Sequence, residues 1–215
     1  MEYHKIETLF ERDAKFKVTD ILRSPVYGSF KTWHVTEKID GTNIRVTLLE
    51  DGTVLFGGRT DAAQLSTDLL AYLQRTFTPE KMQAAFWLPD EKGEVQKVKA
   101  ICYGEGYGAG IQKGGNYRPD KSFRLFDVLV SDKFWLDWKN TEDVAQKLCI
   151  KTVPYLGDFS LDEIVTMVKK GIPSVTAKEE SGKDTMAEGI VGRTVEPLFD
   201  RRGKRIILKL KTKDF

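Results

Sequence analysis

Hydrophobic and polar positions alternate over many short stretches of this chain, and only a few stretches carry the three-to-four-residue spacing of a helix face. Trp33-His34-Val35-Thr36 alternates as a half-buried strand does, Asp40-Gly41 marks a turn, and residues 44–49 resume strand character. A second turn signal, Asp51-Gly52, lies between two alternating runs, so 44–56 is expected to be an antiparallel pair that ends in Phe56-Gly57-Gly58-Arg59. A strand is expected over 97–102, running into Tyr103 and broken open by Gly104, Gly106 and Gly108; another spans 123–130. Over 205–212 the alternation is strict, with Ile206, Leu208 and Leu210 on one face and Lys209 and Lys211 on the other. Helices are expected after Ser66, with Leu69, Leu70, Leu73 and Phe77 as the buried stripe, and after a cap at Thr141-Glu142-Asp143. Another should open at the capping box Ser160-Leu161-Asp162-Glu163 and close at Gly171, before Pro173. The polar stretch 178–184 reads as a mobile loop. Strands and helices mixed in this way predict an α+β fold.

Composition sharpens the picture. With 215 residues, 40% hydrophobic and 11% aromatic, the chain can bury one sizeable core, and a single domain over 1–215 is expected. A formal net charge of +2 means that any nucleic-acid surface must come from local clusters of Lys and Arg. Cys102 and Cys149 lie in apolar surroundings without a CxxC, as core thiols of a reduced protein would, and with only His4 and His34 they argue against a zinc site. The first 13 residues lack the apolar core of a leader, and no window reaches the roughly 18 apolar residues of a membrane span, so a cytoplasmic protein is expected.

The candidate chemistry centres on Glu37-Lys38-Ile39-Asp40-Gly41-Thr42-Asn43. A lysine at a strand end acts as a nucleophile only when neutral, so burial or neighbouring cations must lower its solution pKa of about 10.4. Alone, a lysine beside a turn is more often a solvated hairpin residue. Gly57-Gly58-Arg59 lets the backbone approach a ligand while the guanidinium reaches it. Gly104-Glu105-Gly106-Tyr107-Gly108 is not a dinucleotide loop, because no helix pattern follows it. Phe126-Asp127 lies in an apolar strand, where an aromatic is most often core. Glu188 opens the strand-like Gly189-Ile190-Val191-Gly192-Arg193. Lys113 and Arg118 in a glycine-rich loop, and Arg201-Arg202-Gly203-Lys204-Arg205 in a glycine-centred turn, offer cations for phosphates.

Taken together and in this order, these stretches resemble the motifs of the covalent nucleotidyltransferases, and among them the RNA ligases of the phage and kinetoplastid editing type, over nearly the whole chain. The resemblance implies antiparallel sheets clasping a nucleotide with flanking helices, an ATP-grasp-like ligase fold. It implies ATP and Mg²⁺ or Mn²⁺ as cofactors, and RNA or RNA/DNA ends or nicks as substrates of a monomer. It makes Lys38 the nucleophile, Glu188 the residue facing that lysine and the metal, and Lys209 and Lys211 the grip on the α-phosphate. Asn43 would position the nucleotide during sealing. Glu37, Ile39 and Arg59 would adjoin the nucleotide, Glu105 would accept from its ribose, and Phe126 with Asp127 would cover the adenine. Ile6 and Glu7 would pack near the base, while Lys113, Arg118, Arg201 and Arg202 would hold backbone phosphates. The implied reaction joins a 3′-hydroxyl to a 5′-phosphate through lysyl-AMP and an adenylated 5′ end. Two departures stand out: Asp40 occupies a position that is histidine in many RNA ligases and aspartate in DNA ligases, and the chain ends four residues after Lys211, leaving no room for an appended OB domain. The alternatives are a DNA ligase, a GTP-dependent capping guanylyltransferase and a non-catalytic nucleotide or nucleic-acid binder.

Overall fold

The computed structural model describes residues 1–112 and 117–215, and contacts divide the chain into two units: Met1–Tyr3 with Gly41–Val153, and His4–Asp40 with Pro154–Phe215. The boundary between Asp40 and Gly41 falls inside the lysine-bearing stretch.

The sheet of the first unit runs in the order β10 (Lys151–Thr152), β8 (Ser122–Val130), β7 (Ala100–Tyr107), β5 (Thr42–Leu48) and β6 (Val54–Gly58), with β9 (Phe134–Trp135) also on β8. Every pair in it is antiparallel except β10 with β8. The expected hairpin is β5–β6. Alternate residues Ile44, Val46 and Leu48 enter a core shared with α1 (Thr67–Thr76), α2 (Pro79–Phe86) and α3 (Trp138–Lys147), which buries Leu69, Leu73, Phe77 and Met82 completely or nearly so. The glycines of β7 do not open it. A Cβ on Gly104 would sit 2.1 Å from the Phe123 ring and one on Gly106 2.9 Å from Ile44, so both glycines let core side chains close on a strand that runs on to Tyr107. α3 starts earlier than expected: Asp137 caps it by accepting from the Asn140 amide at 2.8 Å, and Thr141 lies inside the helix. Cys102 is buried, whereas Cys149, just past the end of α3, is exposed and is not a core thiol.

The sheet of the second unit has the order β1 (Glu7–Thr8), β13 (Ile207–Lys211), β12 (Gly189–Arg193), β4 (Trp33–Lys38) and β11 (Tyr155–Phe159), antiparallel except for the parallel pair β1–β13. β2 (Phe10–Arg12) and β3 (Val18–Leu22) form a separate pair. Trp33, Val35, Ile190, Leu208 and Leu210 pack with Ile164 and Val168 of α4 (Leu161–Lys170), whose capping box at Ser160 forms as expected. β4 sits between β12 and β11 and is buried from Trp33 to Glu37, not half-buried. The stretch expected as a loop at 178–184 belongs partly to α5 (Val175–Ser181), capped by Ser174 and stopped at Gly182. Among the described residues no helix is long and apolar enough to cross a membrane.

Candidate active site

Register places the catalytic candidates of the second unit side by side. Lys38 on β4 lies opposite Gly189 on β12, which lies opposite Lys211 on β13; one step further in, Thr36 faces Val191 and Val191 faces Lys209. Since side chains alternate along a strand, Lys38, Thr36, Lys209 and Lys211 share the face opposite the core. Glu188 enters this row from just before β12, its carbonyl held by the Thr212 amide at 2.9 Å. Its Oε2 accepts from Lys38 Nζ at 2.5 Å and its Oε1 accepts from Lys211 Nζ. The Lys38 and Lys211 side chains are 22% exposed and that of Glu188 14%, so these ions are shielded from water enough to feel one another strongly.

Burial by itself would raise the Glu188 pKa, but the Lys38 charge and hydrogen bonds from Lys211 and Lys38 outweigh it and hold the carboxyl below the usual carboxylate range. Burial, reinforced by the Lys38 and Lys211 charges, lowers Lys209, with Glu7 opposing. One carboxylate thus bridges two ammonium groups, and Lys209 beside them feels their charges and that of Glu7. The gathering of lysines on this face suits a polyphosphate, and the lysine that meets Glu188 from β4 is the candidate nucleophile.

Other predicted residues of this unit have different surroundings. Glu37 is buried, and its carboxylate accepts from Ser174 Oγ at 2.6 Å and from the Thr176 amide at 3.0 Å, tying the end of β4 to the first turn of α5. Its side chain is committed to that role, and its amide donates to the Pro154 carbonyl at 2.8 Å, so neither is left for a nucleotide. Ile39 is core, 2% exposed. Ile6 is half-buried ahead of β1, and Glu7, opposite Leu208, makes 3.8 Å ion pairs with Lys5 and Arg23. Arg201 and Arg202 are exposed in the turn before β13.

In the first unit, Asn43 of β5 lies opposite Glu105 of β7. A Cβ on Gly41 would meet the Gly106 carbonyl at 2.4 Å and the Glu105 side chain at 2.8 Å, so only glycine lets the turn before β5 close on that strand. Asn43 Oδ1 is buried and has no hydrogen-bond partner among the described residues, an acceptor waiting for a donor. Phe126 is the extra residue where β8 bulges against β7, between Leu125 paired with Gly104 and Asp127 paired with Tyr103, and it is half-buried with its ring 5.1 Å from that of Tyr3. Asp127 is buried and accepts from the Tyr3 hydroxyl at 2.7 Å, an anchor for the N-terminus that the sequence alone did not reveal. Arg59 is exposed just past β6. Arg118 makes a two-pronged pair with Asp120 at 2.7 and 2.8 Å, which competes with the phosphate role expected of it. Lys113 lies outside the described residues.

Among the described residues no cluster of three or more His, Cys, Asp or Glu could hold a metal on its own. Glu188 is the carboxylate that meets Lys38 and Lys211, and a single carboxylate there fits a divalent ion that keeps most of its ligands from phosphate and water.

Sequence reasoning overlooked a polar group on the same sheet face. His34 stacks on Tyr155 with ring centroids 4.3 Å apart, its Nδ1 lies 3.3 Å from Asp158 Oδ1, and its cross-strand neighbour on β12 is Arg193. Counting back by twos from Lys38 reaches His34, the one signal that could have found it. Burial and the Arg193 charge push the imidazole down to about 4, against the pull of Asp158. The unfolded chain takes a proton near pH 6.5 and the folded chain only near 4, so stability is fully present above 6.5 and falls as pH drops through this window. A loss of about 2 kcal/mol between pH 7 and 5 is expected. Urea midpoints of the parent and His34→Gln check it: the variant's stability should fall less over that range.

The fold matches solved structures of Naegleria gruberi RNA ligase. An arginine-to-alanine variant with ATP and Mn superposes with a TM-score of 0.70 at 20% identity, over 98% of this chain and 56% of that one. A lysine-to-methionine variant with AMP and Mn gives 0.64 at 20% identity, over 97% and 61%. An apo variant gives 0.62 at 22% identity, over 85% and 50%. The chain thus spans between half and two thirds of the length of these relatives. The sequence model of the RNA ligase family matches residues 31–211, from just before β4 to the last lysine of β13, and the chain belongs to that family.

Proposed function

We propose that the protein is an ATP-dependent RNA ligase that joins 3′-hydroxyl and 5′-phosphate ends through a lysyl-AMP intermediate. The observation that carries this reading is the bridging of Lys38 and Lys211 by one ionised carboxylate, Glu188, with Lys209 on the same sheet face, in a chain of the RNA ligase family. The neutral Lys38 amine attacks the α-phosphorus of ATP; the N–P bond forms, the bond to pyrophosphate breaks with its electron pair going to the leaving oxygen, and the nitrogen gives up one proton to water. Lys209 and Lys211 offset the charge that builds on the phosphate oxygens in the transition state. The AMP then passes to the 5′-phosphate of a polynucleotide, and a 3′-hydroxyl displaces it. A divalent ion on the phosphates, with Glu188 as its protein ligand, would supply further charge compensation. Relatives solved with ATP and Mn, or AMP and Mn, support both cofactors. Glu105 as acceptor for the ribose hydroxyls, Phe126 as the ring on adenine and Asn43 Oδ1 as a further acceptor complete the reading. Intact-mass spectrometry after incubation with ATP and manganese tests it: the protein should gain one AMP, Lys38→Ala should gain none, and GTP should not substitute. An adduct that persists in Lys38→Ala would refute the assignment.

A further inference from the structure

Three tight turns in this chain share one construction. In Asp13-Ala14-Lys15-Phe16-Lys17, Asp90-Glu91-Lys92-Gly93-Glu94 and Asp200-Arg201-Arg202-Gly203-Lys204, the amides of the third and fifth residues donate to the carboxylate of the leading aspartate at 2.8–3.0 Å. In each, the fourth amide donates to the aspartate carbonyl and the aspartate amide to the fifth carbonyl. The fourth residue must turn into the left-handed region, and glycine does so in two of them, Gly93 at φ 80 and Gly203 at φ 73. In the first turn that place is held by Phe16, at φ 61 and 79% exposed. A bulky residue in this conformation is strained, and its ring gains no burial in return. Neither the fold nor packing asks for it.

The surroundings say what the ring is for. Lys15 and Lys17 are exposed on either side of it, and the carboxylate of Asp13, at the base of the turn, is taken up by backbone amides; Arg12 donates to the Phe16 carbonyl at 2.7 Å and pairs with Asp214 at 2.5 Å, which fixes the tip. An isolated ring between cations is too small for a protein interface, which needs a contiguous apolar patch, but it matches one base with a phosphate on each side. We infer that the tip at Phe16 is a stacking platform for an unpaired base of the polynucleotide substrate, with Lys15 and Lys17 on the flanking phosphates. This rests on the ligase reading for the identity of the polynucleotide, and it adds a contact outside the lysine cluster of the sheet.

Fluorescence anisotropy with a labelled oligoriboadenylate, and with an abasic strand of the same length, reads the platform directly. Phe16→Gly should weaken binding of the oligoadenylate by roughly fivefold or more, the range of a stacked base, and Phe16→Trp should retain it. On the abasic strand the parent and Phe16→Gly should bind alike, since no base is left to stack. The melting temperature of Phe16→Gly should not fall, because glycine suits the turn better than phenylalanine, so a loss of binding would not be a loss of fold. Mass gain from ATP, followed in parallel, reports on the ligase reading separately, because Phe16→Gly leaves Lys38 and its neighbours untouched. Equal affinity of parent and Phe16→Gly for the oligoadenylate, or an equal loss on the abasic strand, would overturn the inference and leave the ring to another kind of partner.

Discussion

Glu188→Ala is expected to slow lysyl-AMP formation by about 100-fold or more and to destabilise the fold by about 3 kcal/mol. The carboxylate accepts from Lys38 and Lys211 with its two oxygens, and removing it leaves these two ammonium groups with no counter-charge between them and Lys209 close by. Their mutual repulsion accounts for the stability loss, since the cations are largely shielded from water and only partly relieved by it. The rate loss has a different origin. Without Glu188 the Lys38 amine is no longer held in one place, and a misplacement of about 1 Å is enough to cost two orders of magnitude in a displacement that needs the nucleophile in line. A Glu188 that acted only as an electrostatic brake on the nucleophile would instead give a faster variant at neutral pH. Single-turnover adduct formation from pH 6 to 9 separates the two, and a variant faster than the parent anywhere in that range would reject the positioning role.

Gly189→Ala should be nearly as damaging, with a loss of about 3 kcal/mol and a collapse of adduct formation, although it touches no charged group. A Cβ there would lie 2.1 Å from the Leu210 carbonyl oxygen and 2.7 Å from Lys211 Cα, and φ is 157, where an L side chain is rarely found. Both obstacles are backbone, so no side chain can swing aside. β12 and β13 must part at the place where Gly189 lies between Lys38 and Lys211, and Glu188 moves with them. Urea unfolding and the mass assay should fail together; a variant with parent stability would mean that the strands yield at little cost.

The lysine cluster was legible because its geometry is local to each strand. Alternation places Lys209 with Lys211 and leaves Leu208 and Leu210 inside, and motif order brings Lys38 and Glu188 to the same sheet. What was not legible depends on pairings between distant parts of the chain. Glu37 reads as a neighbour of the nucleophile, yet its carboxylate is spent on Ser174 and Thr176, 137 and 139 residues away. Asp127 reads as part of an adenine motif, but a tyrosine 124 residues earlier fills one of its oxygens. The glycines of β7 looked like breaks because a sequence shows missing side chains, not the Phe123 and Ile44 atoms that occupy the space. Asp137 and Thr141-Glu142-Asp143 both offer oxygen to amides, so the sequence did not separate them; in the fold the helix starts at Trp138 with Asp137 as its cap. The division into two units was hidden for a related reason: hydrophobic content sets how much core there is, not how many pieces it is split into.

The parallel pairing of β1 with β13 sets an order of events during synthesis. Glu7 and Thr8 are made some 200 residues ahead of their partners Leu208 and Lys209. The unit that carries Lys38 is assembled from 4–40 and 154–215, whereas the other draws 41–153 as one uninterrupted run. A contiguous run can begin folding while the ribosome is still adding residues; a sheet that must close across some 200 residues of intervening chain cannot. Lys38 therefore waits on its strand, without Lys209 or Lys211 beside it, until β13 has been made. A nascent or truncated chain that lacks 207–211 has Lys38 and Glu188 but neither Lys209 nor Lys211, and is expected to gain no AMP when incubated with ATP.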